Sequence, residues 1–353
     1  MITINVNCET GYNILIGKGL LCSAGNSIRE VSRGQKVLVI SDTNVAPLYA
    51  QTVVDSLTEN GFESDVFAFP AGETNKTLAT VGNMLDAMCA FGLSRSDLVV
   101  ALGGGVCGDL AGFASAIYLR GIDFVSIPTT LLAQIDSSVG GKTACDLKSG
   151  KNLAGAFHNP QLVIIDPDCL STLPERFYND GLAEAIKYGC IKSESLFNRL
   201  LTENPHDFIE ELIEECVTIK KNVVENDFRE NGERMLLNFG HTIGHAIEKY
   251  YDFGGISHGE AIGIGMVVIT YAAEQNGLLN IGVSDKIIEC LHLYSLPTHT
   301  TIPLKTLAKL AFSDKKRNGS NINLVLLHDI GDSYILKIET SKLDFFLDGG
   351  REV

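Results

Sequence analysis

A chain of 353 residues with 45% hydrophobic and 20% charged residues has globular composition, which excludes a disordered or collagen-like protein. It is longer than one compact core readily fills, so two domains with a cleft between them are expected. Its 28 Lys and Arg against 43 Asp and Glu give a formal charge of −15, which opposes binding to phosphate backbones or anionic membranes, so neither nucleic acid nor membrane is an expected partner.

The opening residues Met1-Ile2-Thr3-Ile4-Asn5-Val6 alternate like a strand and lack the basic-then-apolar layout of a signal peptide. The segments 36–41 (KVLVIS), 97–102 (DLVVAL), 124–127 (FVSI) and 162–166 (LVIID) are apolar runs that stop at polar or glycine-rich turns, the pattern of parallel strands buried on both faces. After Pro167 the pattern becomes amphipathic and helical, over 175–201, 205–227, 233–251, 258–276 and 284–293. One late exception, 322–327 and 334–338 around Asp329-Ile330-Gly331-Asp332, reads as a hairpin. The fold class expected is therefore α/β: a Rossmann-like parallel-sheet domain over 1–166, then an otherwise all-helical domain over 167–353. The longest apolar stretch, 261–273, lies between Glu260 and Glu274 and is too short to cross a bilayer. Nine scattered cysteines without a C-x-x-C pair suggest neither a disulfide framework nor a zinc ribbon, and fit reduced thiols in a cytoplasm.

Directly after the 97–102 strand, Gly103-Gly104-Gly105-Val106-Cys107-Gly108-Asp109 opens an apolar helix. Missing Cβ atoms let backbone approach a pyrophosphate, and a helix N-terminus offers free N–H groups. The spacing G-x-G-x-x-G is present at 103, 105 and 108, although it follows a middle strand rather than the first. Asp42 ends what reads as the first strand of the sheet, where a carboxylate can accept hydrogen bonds from a ribose diol; Asp123 competes by spacing but precedes its strand. The turn 70–76 (PAGETNK) and Pro128-Thr129-Thr130 at another strand end could lie over the same ligand. Gly141-Lys142-Thr143 resembles a P-loop tail, but Asp136 stands where that motif needs glycine, so ATP binding through it is excluded.

In the second half, His241 and His245 share one helix face, and His258 begins the next helix. Imidazoles from neighbouring helix ends can converge on a metal. The absence of Glu after His241 removes the H-E-x-x-H metalloprotease. Glu184 interrupts an apolar face, and a buried carboxylate needs a partner, either a metal or Lys187 three residues on. Lys142, Lys148 and Lys151 cluster after Asp136, and Arg234 precedes Asn238 by one turn, which is a plausible trap for a phosphorylated or carboxylated substrate in so acidic a chain.

Taken together, SDTN (41–44), PAGETNK (70–76), ALGGGVCGDLAGF (101–113), YLRG (118–121), PTTLLAQIDSSVGGKTA (128–144), GKNLAGAFHNP (150–160), GLAEAIKYG (181–189), LLNFGHTIGHAIE (236–248), SHGEAIGIGM (257–266) and SDKK (313–316) closely resemble the 3-dehydroquinate synthase family of sugar-phosphate cyclases, almost end to end. The resemblance implies a homodimeric shikimate-pathway lyase using NAD and a divalent metal, zinc or cobalt, on 3-deoxy-D-arabino-heptulosonate 7-phosphate. It places Asp42, Asn44, Glu73, Lys76, Gly104, Gly105, Asp109, Thr129, Thr130, Lys142, Lys151 and Thr172 at NAD. Glu184, His241 and His258 would hold the metal. Asp136, Lys142, Asn152, Lys187, Arg234, Asn238, His245 and Lys315 would line the substrate pocket, with the choice between Lys315 and Lys316 left open. Arg120 would reach a neighbouring subunit's substrate phosphate, and Glu230 and His245 would handle protons. Asp146 departs from the Asn of many relatives. The implied chemistry is transient oxidation, phosphate elimination, reduction and aldol closure. The rivals are a related sugar-phosphate cyclase, a metal-dependent polyol dehydrogenase, or a silent NAD-binding scaffold. A polyol would not need the basic set, and a scaffold would be expected to have lost Glu184, a histidine or Glu230, all of which are present.

Overall fold

The structure, a computed structural model, describes residues 1–252, 254–313 and 321–349. The chain divides into two compact units, Met1–Pro174 with Lys220–Glu225, and Glu175–Ile219 with Asn226–Val353. Among the described residues no helix is long and apolar enough to cross a membrane.

The first unit begins with β1 (Ile2–Val6) and β2 (Tyr12–Ile16), followed by α1 (Ala24–Val31), β3 (Lys36–Asp42), α2 (Ala46–Glu59), β4 (Glu63–Phe69), α3 (Leu78–Phe91), β5 (Leu98–Gly103), α4 (Gly105–Ile117) and β6 (Asp123–Pro128). A hairpin of β7 (Lys142–Leu147) and β8 (Gly150–Phe157) precedes β9 (Leu162–Ile165). The main sheet has the order β1-β2-β9-β6-β5-β3-β4, parallel throughout except where β1 meets β2. Side chains alternate across it. Val37, Val39, Val100, Leu102 and Ile164 face Ile28, Val53 and Leu57 of α1 and α2, while Leu38, Ile40, Val99 and Ala101 face Met84, Met88, Leu110 and Ala114 of α3 and α4. Burial on both faces is why these strands read as unbroken apolar runs.

Asp42 therefore ends the third strand of the chain, not the first, because β1 and β2 run ahead of it at the sheet's edge. Counted from β3, the parallel strands run 2-1-3-4-5, so the order reverses between β3 and β5. Ligands bind outside the carboxyl ends of strands at such a switch point. This explains a glycine-rich turn after a middle strand: in this order, that strand is the first one's neighbour across the switch.

The second unit is built from α5 (Glu175–Lys192), α6 (Glu194–Thr202), most of α7 (Ile209–Asn226), α8 (His241–Tyr250), α9 (His258–Gln275), α10 (Val283–Leu293) and α11 (Leu304–Ser313). An antiparallel hairpin, β10 (Asn321–Asp329) and β11 (Asp332–Glu339), and the short α12 (Leu343–Leu347) follow. The unit is thus helical but not all-helical, the hairpin being the exception expected. The amphipathic segment 233–251 is broken into a 3-10 turn, Glu233–Asn238, and α8, because Gly240 takes φ 77 at the start of α8.

Candidate active site

In the first unit, the carboxyl ends of β3 and β5 carry Asp42 and Gly103. Oδ1 of Asp42 accepts from the N–H groups of Asn44 and Val45 at 2.8 and 3.1 Å, holding the turn into α2. Its Oδ2 faces Gly103, where an added Cβ would stand 3.6 Å away. Three of the glycines answer to packing: a Cβ at Gly103, Gly104 or Gly105 would come 2.6, 3.0 or 3.1 Å from Cys107, Thr130 or Ser137. Gly108 is different, since a Cβ there would meet nothing within 4 Å. That open space belongs to a pocket lined by Gly104, Gly108, Asp109, Ser137 and Lys142.

Beside this turn lies a charged cluster. Nζ of Lys76, 5% exposed, donates to Asp109 and to Asn152, both at 2.6 Å, and Lys151 Nζ stands 3.3 Å from Glu73. Burial raises the Asp109 carboxyl even against the pull of Lys76. Burial would lower Lys76, but the Asp109 and Glu73 carboxylates outweigh it and raise the ammonium. The β7–β8 hairpin makes the cluster possible: Asn152 takes φ 55, and its N–H donates to Asp146 at 2.7 Å. The structure thus sets Asn152, expected at substrate, on Lys76, expected at NAD.

Thr129 ties β6 to β5 through its N–H and the Gly103 carbonyl at 3.0 Å. Its Oγ1 is buried with no hydrogen-bond partner among the described residues, which suits a polar ligand at the switch point. Thr130 Oγ1 accepts from Ala133 N at 3.2 Å and starts the π-helical turn Ala133–Ser137. That turn presents Asp136 to Lys220, whose Nζ contacts Oδ1 and donates to the Asp136 carbonyl at 2.6 Å. Lys220 is 6% exposed, and the sequence reading missed it. Thr172 meets the hydroxyl of Tyr49, in the helix α2 that the Asp42 turn opens. Asn44 is exposed in the turn after β3. Arg120 is exposed on a bend where Leu119 and Arg120 take φ 50 and 72.

In the second unit, Glu184 of α5 is 1% exposed. Sequence left either a metal or Lys187 as its partner, and the structure gives its two oxygens different surroundings. Oε2 contacts Lys187 Nζ, while Oε1 faces Nε2 of His241 at 3.5 Å and Nε2 of His258 at 3.3 Å. Those separations exceed the roughly 2.7–2.9 Å of a charge-assisted hydrogen bond. They match instead the edges of a tetrahedron, since ligands about 2.0–2.1 Å from zinc stand about 3.3–3.4 Å apart. The remaining ring nitrogens are engaged behind: His241 Nδ1 with the Phe239 carbonyl at 3.0 Å and His258 Nδ1 with Glu248 at 3.4 Å. This backing is what metal-ligating histidines have. Burial pushes His241 down to about 3, so it is a neutral donor. For His258 burial pulls down, but the Glu184 and Glu248 carboxylates beside its two ring nitrogens lift it to about 10, a proton that a cation at Nε2 would displace.

Three helices converge here because glycines let them touch. A Cβ on Gly265 of α9 would fall 2.1 Å from the Gly240 carbonyl oxygen, and one on Gly259 would fall 2.5 Å from Cα of Asp180 in α5. The Ser257–Glu260 capping box starts α9 at His258. His245, one turn after His241, is exposed, with its ring edge-on to His241 at 5.4 Å, and stands outside the Glu184 group. Nearby in sequence, the loop after α7 is fixed by Asp227, which accepts from the N–H groups of Asn231, Gly232 and Arg234. Glu230 takes φ 60 there and accepts from Asn238 Nδ2 at 2.8 Å, and Arg234 is 2% exposed. Lys315 and Lys316 lie outside the described residues.

The fold is that of the sugar-phosphate cyclases. The crystal structure of 2-deoxy-scyllo-inosose synthase complexed with carbaglucose-6-phosphate, NAD+ and Co2+ is 27% identical, with a TM-score of 0.87 over 99% of this chain and 100% of that one. The 2-epi-5-epi-valiolone synthase ValA from Streptomyces hygroscopicus subsp. jinggangensis 5008, with NAD+ and Zn2+ bound, is 28% identical with a TM-score of 0.85, covering 98% of each chain. Within that class the particular family is set by sequence. Residues 66–180 match the 3-dehydroquinate synthase N-terminal model and residues 181–317 the 3-dehydroquinate synthase C-terminal model. The 3-dehydroquinate synthase of Clostridium botulinum (strain Alaska E43 / Type E3) is 46% identical over 347 residues, 96% of this chain and 97% of its own. The chain belongs to the 3-dehydroquinate synthase family.

Proposed function

We propose that the chain converts 3-deoxy-D-arabino-heptulosonate 7-phosphate to 3-dehydroquinate and phosphate. The observation that carries this reading is the Glu184–His241–His258 group, with the Glu184 carboxylate 3.5 and 3.3 Å from the two imidazole nitrogens, in a chain whose family performs that reaction. NAD would supply a reversible hydride acceptor and zinc or cobalt a Lewis acid, which together serve transient oxidation of a hydroxyl, phosphate elimination, reduction and aldol closure.

The chain's own residues divide the remaining work. In the domain we assign to NAD, about 1–166, Asp42 accepts from the ribose diol and the turn of Gly104 and Gly105, with the open space at Gly108, takes the pyrophosphate. Asn44, Thr129, Thr130 and Thr172 offer polar contacts, and Glu73, Lys76, Asp109 and Lys151 form the charged wall. In the domain assigned to metal and substrate, about 167–353, Glu184, His241 and His258 hold the ion. Lys187, Arg234 and Asn238, with Asp136, Lys142, Asn152 and Lys315, bind the substrate's carboxylate, hydroxyls and phosphate, the cations neutralising its negative charge. Glu230 and His245 move protons. The few bases suffice because the departing phosphate can itself accept one. A homodimer in the cytoplasm, with Arg120 reaching the partner's phosphate, completes the proposal.

The test is to incubate the purified, metal-loaded protein with the heptulosonate phosphate and catalytic NAD. Phosphate should exceed NAD many-fold with no net rise in NADH absorbance. Stoichiometric NADH would make the protein a dehydrogenase, and no phosphate would overturn this choice of substrate.

A further inference from the structure

We infer that Glu248 is a positioning residue for the metal centre: its buried carboxylate takes Nδ1 of His258 and so aims Nε2 of that ring at Glu184. The inference rests on the metal reading proposed above. His241, His245 and Glu248 sit at i, i+4 and i+7 of α8, hence on one face. Glu248 is 3% exposed, and a carboxylate is not buried without a partner that repays its lost hydration.

His258 is strung between two buried carboxylates on two helices: Glu248 of α8 lies 3.4 Å from Nδ1, and Glu184 of α5 lies 3.3 Å from Nε2. The two nitrogens diverge, so a carboxylate fixed at one fixes the direction of the other. His241 is backed differently, by the neutral Phe239 carbonyl at 3.0 Å. A carboxylate backing both fixes the tautomer and makes the imidazole a stronger donor, and its loss typically costs about 10–100-fold in metal affinity. The competing arrangement makes Glu248 itself a ligand, because donor atoms of His245, Glu248 and His258 also lie within 4.8 Å of one another.

The experiment uses the full chain loaded with zinc, and separately with cobalt, as wild type, Glu248→Gln and His241→Ala. Metal stoichiometry, release to a chromophoric chelator, the cobalt absorption spectrum and thermal unfolding of the metal-free forms are measured. Wild type and Glu248→Gln should each bind one equivalent, the variant releasing it about 10–100-fold more readily. The variant's cobalt bands should shift, and its metal-free form should still unfold in one cooperative transition above the assay temperature. Should Glu248→Gln not fold, Glu248→Asp, which keeps the charge at shorter reach, gives the same comparison. Unchanged affinity and spectrum overturn the inference. Two equivalents in wild type and one in Glu248→Gln overturn it in favour of Glu248 as a ligand. If His241→Ala holds metal as wild type does, the metal reading falls, and this inference with it.

Discussion

His241 and His245 stand on one face of α8, and a four-residue spacing gives no ground for preferring either as a ligand. Their surroundings separate them, since His241 directs Nε2 at Glu184 while a carbonyl holds its other nitrogen, and His245 lies outside that ligand group. His241→Ala should therefore lose metal and activity together. His245→Ala should keep its metal and lose turnover by roughly 10²–10⁴-fold, the scale of a positioned acid or base. Metal analysis of the two purified variants checks this, and a metal-free His245→Ala beside a loaded His241→Ala would reverse the assignment. Sequence brought both histidines into view, as well as Glu184, because such residues stand out against apolar neighbours. It could not find Lys220, which in the run Ile219-Lys220-Lys221-Asn222 reads as part of a solvated helix face. Only folding carries Asp136 to it, so no local pattern marks it.

Among the elements, the approach of α8 to α9 admits no side chain at Gly265, where a Cβ would stand 2.1 Å from the Gly240 carbonyl oxygen. Gly265→Ala should force the helices apart, lower stability by about 1–3 kcal/mol as overpacking does, and lose metal, since His241 and His258 open these two helices. Denaturant unfolding and metal content read the two effects. A second element-level test concerns the turn before β5. Asp97 is buried, which raises its carboxyl, yet hydrogen bonds from the Ser94 hydroxyl and the N–H groups of Lys36, Ser94 and Gln35 bring it below the usual value. A depressed carboxyl stabilises the fold above the unfolded value of about 3.9, and this contribution disappears as pH falls through the folded value. Asp97→Asn should cost about 1–3 kcal/mol at neutral pH. The gap from wild type in unfolding free energy should hold above about pH 4 and narrow as pH falls below it toward the folded value, and a gap independent of pH would count against it. The buried parallel strands were legible as apolar runs, as was the late hairpin at its glycine turn. The β7–β8 hairpin was not, because Lys142, Lys148 and Lys151 make its segment look like a basic loop. Likewise α8 was read as starting at 233, for no propensity shows that Gly240 must take φ 77 under Met266.

For the whole molecule, the family was legible because its motifs run nearly the length of the chain, whereas a homodimer is implied by the resemblance alone, since an exposed arginine on a bend looks the same in a monomer. The strained pair Leu119 and Arg120, φ 50 and 72, holds that guanidinium outward. If Arg120 serves a partner's site, Arg120→Ala and His241→Ala chains, each inactive alone, should form mixed dimers with one working site. Phosphate release after mixing checks this, and no recovery would count against sharing. The first unit also has a history in time, because its Lys220–Glu225 segment is made only after residues 175–219. At roughly 5–20 residues per second, a ribosome needs about 2–9 s for that stretch. During that interval every strand of the sheet has been made, but the Asp136 carboxylate still awaits its lysine and Val223 and Val224 have not yet been made to be buried. A released chain ending at 219 would therefore carry every strand of the sheet without the segment that seals it, and should be open to protease at the turn that holds Asp136.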